Sequence, residues 1–219
     1  MTGLSSNDGG AKLGATDVFH LAVGRAIDAW GSIEDRLQET FATCLSFSPP
    51  RGAGFVRMSP FAIAILDAAP ELPVKLNLVE AAVRSALLDV DRATEILDEW
   101  TASRRKIAGL EQYMFALVHW TVAQELDEDG RITQVVLRPR HPGITDAQPL
   151  TIAAIETSER RFLAAAQRLT LLNERIAADV DRQRAHVIEF AEQLSSANNR
   201  DALADLLNER VELPARRAP

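Results

Sequence analysis

At 219 residues, with 47% hydrophobic and 25% charged residues, the chain is long enough for one domain with a substantial core, and its composition excludes a wholly disordered protein. The formal net charge of −7 gives no global attraction to a phosphate backbone. Only local basic patches remain for that purpose, Arg104-Arg105-Lys106 or Arg138, Arg140 and His141. The single cysteine, Cys44, excludes an intrachain disulfide and a cysteine zinc cluster.

Residues 1–14 are rich in Gly, Ser and Asn and read as a flexible lead-in. They lack the basic-then-apolar plan of a signal peptide, and no later run reaches the ~18 apolar residues of a membrane span, so a soluble, cytoplasmic protein is expected. Thr16 or Asp17 can cap a first helix of roughly 30 residues, because Phe19, Val23, Ala26, Trp30, Ile33, Leu37, Phe41 and Cys44 recur at spacings of three or four. Cys44 on that apolar stripe reads as a packed, inert thiol. Gly24 and Gly31 lower the helix propensity and point to a close helix approach or a mild bend. Glu34, Asp35 and Arg36 read as a solvated face.

Ser48 to Gly54 is a loop, since two prolines remove donors and two glycines loosen the backbone. Ser59-Pro60 then opens a short apolar helix through Ala69. Pro70 and Pro73 separate it from a helix over about Val74–Leu88, with Leu76, Val79, Val83, Ala86 and Leu87 on its buried side and Lys75 at the surface. Asp91 can cap the next helix, which carries Ile96, Leu97, Trp100, Ile107, Leu110, Tyr113, Met114 and Leu117. After His119 the period changes. Alternating residues from Trp120 to Leu126, Asp129-Gly130, and a β-branched run from Ile132 predict a hairpin with strands at about 121–126 and 131–137, although the run up to Leu126 also fits a helix.

A loop from Pro139 to Pro149 leads to Thr151, which can cap the longest periodic segment. Ile152, Ile155, Phe162, Ala166, Leu169, Leu172, Ile176, Val180, Val187 and Leu194 mark its stripe. Unbroken, this helix would exceed ~60 Å, longer than a compact domain needs. A bend is expected, or a part beyond about Ala178 that packs on another chain. Asn198-Asn199 breaks the pattern, Asp201 to Asn208 forms a short helix, and the last residues are a tail.

The expected fold is therefore all-α: a bundle of five or six helices with long N- and C-terminal helices and one small β-hairpin at about 121–137. One domain spans 15–196, followed by a short helix and tail at 197–219.

Walker, GxGxxG, HExxH, CxxC and GxSxG patterns are absent, and Glu-x-x-His does not occur on two helices. No histidine among His20, His119, His141 and His186 has a second at metal-ligand spacing, so neither a metal nor a cofactor is expected. His119, beside Trp120 at a helix end, remains the candidate. Its structural reading is a histidine hydrogen-bonded to another helix or favoured by the helix C-terminus.

The order of elements resembles bacterial HEPN-like helical proteins. The residues carrying that resemblance are Ile33-Glu34 in a long first helix, Lys75 to Val79 in a Lys-x-x-Leu-Val stretch, and His119-Trp120 ahead of a hairpin and a long last helix. It covers residues 16–178. In that family an Arg-(x)4–6-His motif makes an RNA-cleaving site, with the arginine on the scissile phosphate and the histidine in acid–base or transition-state roles. Here His119 matches the histidine, but the arginine positions fall on Gln112, Tyr113 and Met114, none of them cationic. Without a cation, the largest catalytic contribution is missing. Arg182-Gln-Arg-Ala-His186 comes near the spacing in the wrong helix, and His186 reads as a surface residue.

The missing arginine, together with a surplus of apolar helical face that can supply an interface, points to a non-catalytic, HEPN-like interaction protein, a homodimer, with Arg104, Arg105, His119 and Trp120 as candidate binding residues. An RNA-binding or RNA-cleaving defence or toxin component is the alternative, with His119 as its catalytic candidate. A helical bundle that binds a small molecule is a third.

Overall fold

A computed structural model describes residues 14–45, 60–88, 92–140 and 147–196. Among them are five helices, α1 (Ala15–Leu45), α2 (Pro60–Asp67), α3 (Leu72–Ala86), α4 (Ala93–His119) and α5 (Ile152–Ser196), and three strands, β1 (Thr121–Leu126), β2 (Ile132–Arg138) and β3 (Leu150–Thr151). The expected helical bundle with a small hairpin is the fold, and β3 enlarges the hairpin to a three-stranded antiparallel sheet in the order β1-β2-β3. No helix among the described residues is long and apolar enough to cross a membrane. The expected loop at 48–54, the caps Ser59 and Asp91, His141 and the short helix at 201–208 lie outside the described residues.

α1 and α5 form the spine. Their apolar stripes meet along Phe19, Ala26, Trp30, Ile33 and Leu37 on one side and Ile155, Phe162, Leu169, Leu172 and Ile176 on the other, all buried. The Trp30 and Phe162 rings meet edge-on at 5.2 Å, and Arg25 reaches Glu156 at 3.7 Å and Glu159 at 3.4 Å. Residue numbers rise together along both helices, so the two run parallel. α4 runs the other way along α5, with Glu99 bonded to Arg175 at 2.6 Å and Tyr113 near Arg161. Trp100 and Ile107 bring its buried side into the core.

α2 and α3 cover the remaining side of α1. Gln38 bonds Asp67 at 2.7 Å and Lys75 reaches Glu34 at 3.3 Å. Lys75 is therefore a helix-to-helix ion pair, beyond the surface position read from sequence, and Glu34 is its partner as well as part of a solvated face. α3 begins at Leu72, two residues before the expected start, because Pro73 sits in the first turn, where a missing N–H leaves no helical bond unmade.

Neither glycine in α1 marks a close approach or a break. A Cβ built on Gly24 or Gly31 meets nothing within 4 Å, and α1 is one uninterrupted helix. Asp17 does not precede α1 but lies within its first turn, accepting a hydrogen bond from the Gly14 N–H at 3.1 Å. Thr151 caps α5 as expected, its hydroxyl accepting from the Ala154 N–H at 3.3 Å.

The hairpin turn is longer than a two-residue Asp-Gly turn. The Asp127 carboxylate accepts the N–H groups of Asp129 at 3.0 Å and Arg131 at 2.8 Å, and Gly130 supplies a φ of 75° that other residues resist. From β2, Val135 and Leu137 join the main core, while Val136 is also buried and pairs with Thr151 of β3.

Candidate functional site

α4 ends at His119 because Trp120 takes an extended conformation, φ −86° and ψ 158°, and feeds directly into β1. The Trp120 N–H still donates to the Ala116 carbonyl at 3.0 Å, closing the last turn. This junction fixes His119 on the outside of the helix end and half-buries Trp120 against the core. The His119 ring rests on Phe115, with centroids 4.4 Å apart and planes tilted by 43°, and Phe115 is itself 56% exposed. Among the described residues no hydrogen bond or ion pair engages the His119 side chain, so the hydrogen bond to another helix read as its structural role is not made.

The four candidate residues do not converge. Arg104 is turned toward α3, where it bonds Glu80 and donates to the Asn77 side-chain oxygen at 2.6 Å. Arg105 and the neighbouring Lys106 are exposed. Arg104 and Arg105 lie about 21 Å or more from His119 along one helix at 1.5 Å per residue. The positions one helical turn or so before His119 are Gln112, Tyr113 and Met114; Arg161 of α5 meets Tyr113, and among the described contacts no arginine engages the His119 side chain. Arg138, in the second basic patch, is held by Glu125 at 2.6 Å. His20 and His186 are exposed, and among the described residues no group of three His, Cys, Asp or Glu could hold a metal ion.

What the structure does assemble at this end of α4 is an open groove of about 830 Å³. Tyr113, Phe115 and Trp120 supply aromatic surface, Gly109 and Ala116 are small lining residues of α4, and Leu150 of β3 also lines it. Polar groups enter at Glu111, Gln112 and Gln148. Arg161 of α5 stands over the Tyr113 ring, 5.7 Å from its centroid, with a nitrogen 3.4 Å from the phenol oxygen. Of the candidate residues, Trp120 alone lines this groove. The sequence contained its aromatic side, in Tyr113, Phe115 and Trp120, but not its far wall, which depends on residues 147–150 returning beside α4.

A charge cluster lies elsewhere, between α3 and α4. The Glu80 carboxylate accepts from Arg84 at 2.8 and 3.0 Å and also bonds Arg104. The Arg84 hydrogen bond, joined by the positive charges of Arg104 and Arg84 and opposed by partial burial, holds its carboxyl below the usual carboxylate range. Cys44 shows the opposite effect, its thiol pushed up to about 12 by burial. That is the chemistry of a packed thiol and not of a nucleophile.

No family model, curated protein or solved structure matches the chain.

Proposed function

We propose that the chain is a non-catalytic, HEPN-like helical interaction protein that associates with itself, in a bacterial, cytoplasmic setting. The observation that carries this reading is the far end of α5. Among the described side chains its buried stripe runs through Ile155, Phe162, Leu169, Leu172 and Ile176 to Val180, and the helix continues to Ser196. Asp181, Arg182, Ala185, His186, Ile188 and Glu189 are all exposed. A single helix of this length is marginal in water without a packing partner.

The non-catalytic part of the reading rests on His119, whose ring meets Phe115 and ahead of which the sequence has Gln112, Tyr113 and Met114 where the family has arginine. Sedimentation of the full chain across the micromolar range is expected to give a dimer, and a monomer throughout would remove the self-association. In an RNA-cleavage assay the wild type and His119→Ala are expected to give the same background rate. A loss of activity in the variant would favour the RNA-cleaving alternative, in which a second subunit brings an arginine to His119.

A second reading, a bundle that binds a small molecule, draws on the groove beside Tyr113 and Trp120, whose volume is in the range of ligand sites. The groove is open to solvent along its length, where such a site would be expected to enclose its ligand, and self-association therefore stands first.

A further inference from the structure

Two polar atoms in the core have no hydrogen-bond partner in the protein, the indole Nε1 of Trp100 on α4 and the side-chain oxygen Oδ1 of Asn173 on α5. Trp100 is fully buried and Asn173 is 7% exposed. One atom is a donor and the other an acceptor. A buried polar group left unmet costs its full desolvation, and native cores leave very few of them.

The helix registers set the two groups at one level of the bundle. Glu99 pairs with Arg175 across the antiparallel helices, and one residue further along α4 brings Trp100 level with Glu174, the neighbour of Asn173. The contact of Tyr113 with Arg161 gives the same register. α1 adds a third polar group. Ten residues beyond the Trp30–Phe162 contact lie Thr40 and Leu172, so Thr40 reaches the same level along the parallel pair. Thr40 is also fully buried, and its hydroxyl donates to the Arg36 carbonyl at 2.8 Å, which leaves the oxygen able to accept.

A group that satisfies this layer must accept from the indole N–H and donate to the amide and hydroxyl oxygens. An anion can only accept, and an ammonium group can only donate. Water does both, and a buried water makes about three hydrogen bonds. We infer that the core takes in water at this level, accepting from Trp100 Nε1–H and donating to Asn173 Oδ1 and Thr40 Oγ1. The site is separate from the self-association proposed above and does not depend on it. It also marks one register of the bundle. A shift of α1 or α4 along α5 by a turn would take Thr40 or Trp100 away from Asn173 and leave a buried polar group among apolar side chains, of which Leu37, Ile107, Leu169 and Ile176 are the buried neighbours along each helix.

The test uses nuclear magnetic resonance of the isotope-labelled full chain. The indole N–H signal that disappears in Trp100→Phe belongs to Trp100. In the wild type this proton is expected to show a cross-peak at the water frequency, with opposite signs in laboratory-frame and rotating-frame experiments, which marks a held water and not proton exchange. Thr40→Val is expected to keep the cross-peak, which excludes the threonine hydroxyl as its source. Asn173→Leu is expected to weaken the cross-peak severalfold and to shift the indole proton. A wild-type indole proton with no such cross-peak overturns the hydrated layer, and this measurement decides the matter even if Asn173→Leu does not fold. A cross-peak that vanishes in Thr40→Val, or that ignores Asn173→Leu, overturns it as well.

Discussion

Cys44 illustrates how much a single position can say. It falls in the last turn of α1, on the stripe that begins at Phe19, and its thiol is pushed up to about 12 by burial alone. The thiolate is the reactive form, so at neutral pH the native protein is expected to resist a thiol reagent and to react fully once unfolded in denaturant. Rapid labelling of the native chain at the rate of a free thiol would contradict that. Gly24 is the reverse case, a residue whose sequence reading did not survive. It was expected to admit a neighbouring helix or a bend, but open space surrounds it within an unbroken helix. With nothing gained from the missing side chain, Gly24→Ala is expected to stabilise the protein by about 0.5–1 kcal/mol, measured by urea unfolding. His119 carries a histidine's chemistry without a partner to direct it. Its ring lies on the exposed Phe115 ring, and among the described residues no hydrogen bond engages it.

Between elements, a cluster of charges ties α3 to α4. Glu80 of α3 holds Arg84 of its own helix and Arg104 of the next, while Asn77 takes the other end of the Arg104 guanidinium. This occupies a candidate binding residue in a structural role. It also gives stability a defined pH dependence. The Glu80 carboxyl titrates lower in the folded chain than its ordinary value of 4.5, so its contribution is fully present above that value and is lost as pH falls through the folded pKa. Glu80→Gln is expected to cost about 0.5–1 kcal/mol at neutral pH, since the cluster lies at the surface. At pH values below the folded pKa the two proteins are expected to converge, because the wild-type carboxyl is then protonated too. An equal difference at both pH values would show that the loss comes from packing and not from charge.

At the scale of the whole molecule, the unusual feature is the mismatch in helix length. α5 is 45 residues long and α1 is 31, and they start at the same end of the bundle, so the longer helix must leave its partner. Among the described side chains Val180 is the last buried residue of α5. A chain terminated at Gln183 is expected to unfold cooperatively, within about 0.5 kcal/mol of the full chain at concentrations where both are monomeric, since the described side chains it removes, Ala185, His186, Ile188 and Glu189, are exposed. A larger loss would mean that the extension or the residues after it support the bundle directly. The same truncation is expected to abolish association, which separates the folding role of α5 from its binding role.

What the sequence determined by itself was periodicity. The three- and four-residue spacing of Phe19 to Phe41 and of Ile155 to Val180, the change to alternation after His119, and Thr151 ahead of a helix were all legible, because each depends on residues close together in the chain. Register, partnership and cavity were decided only by the tertiary structure. The two-residue β3 is too short to carry a pattern, and it exists because β2 offers it an edge. The Glu34–Lys75 pair and the double grip of Glu80 join residues on different helices, and a surface-looking charge gives no sign of such a partner. The groove beside Tyr113 and Trp120 needed residues 147–150 to return alongside α4. The missing arginine near His119 was visible in the sequence, but its consequence required the fold. Once α4 is a single straight element, Arg104 and Arg105 stay far from His119, and Arg104 is spent on Glu80.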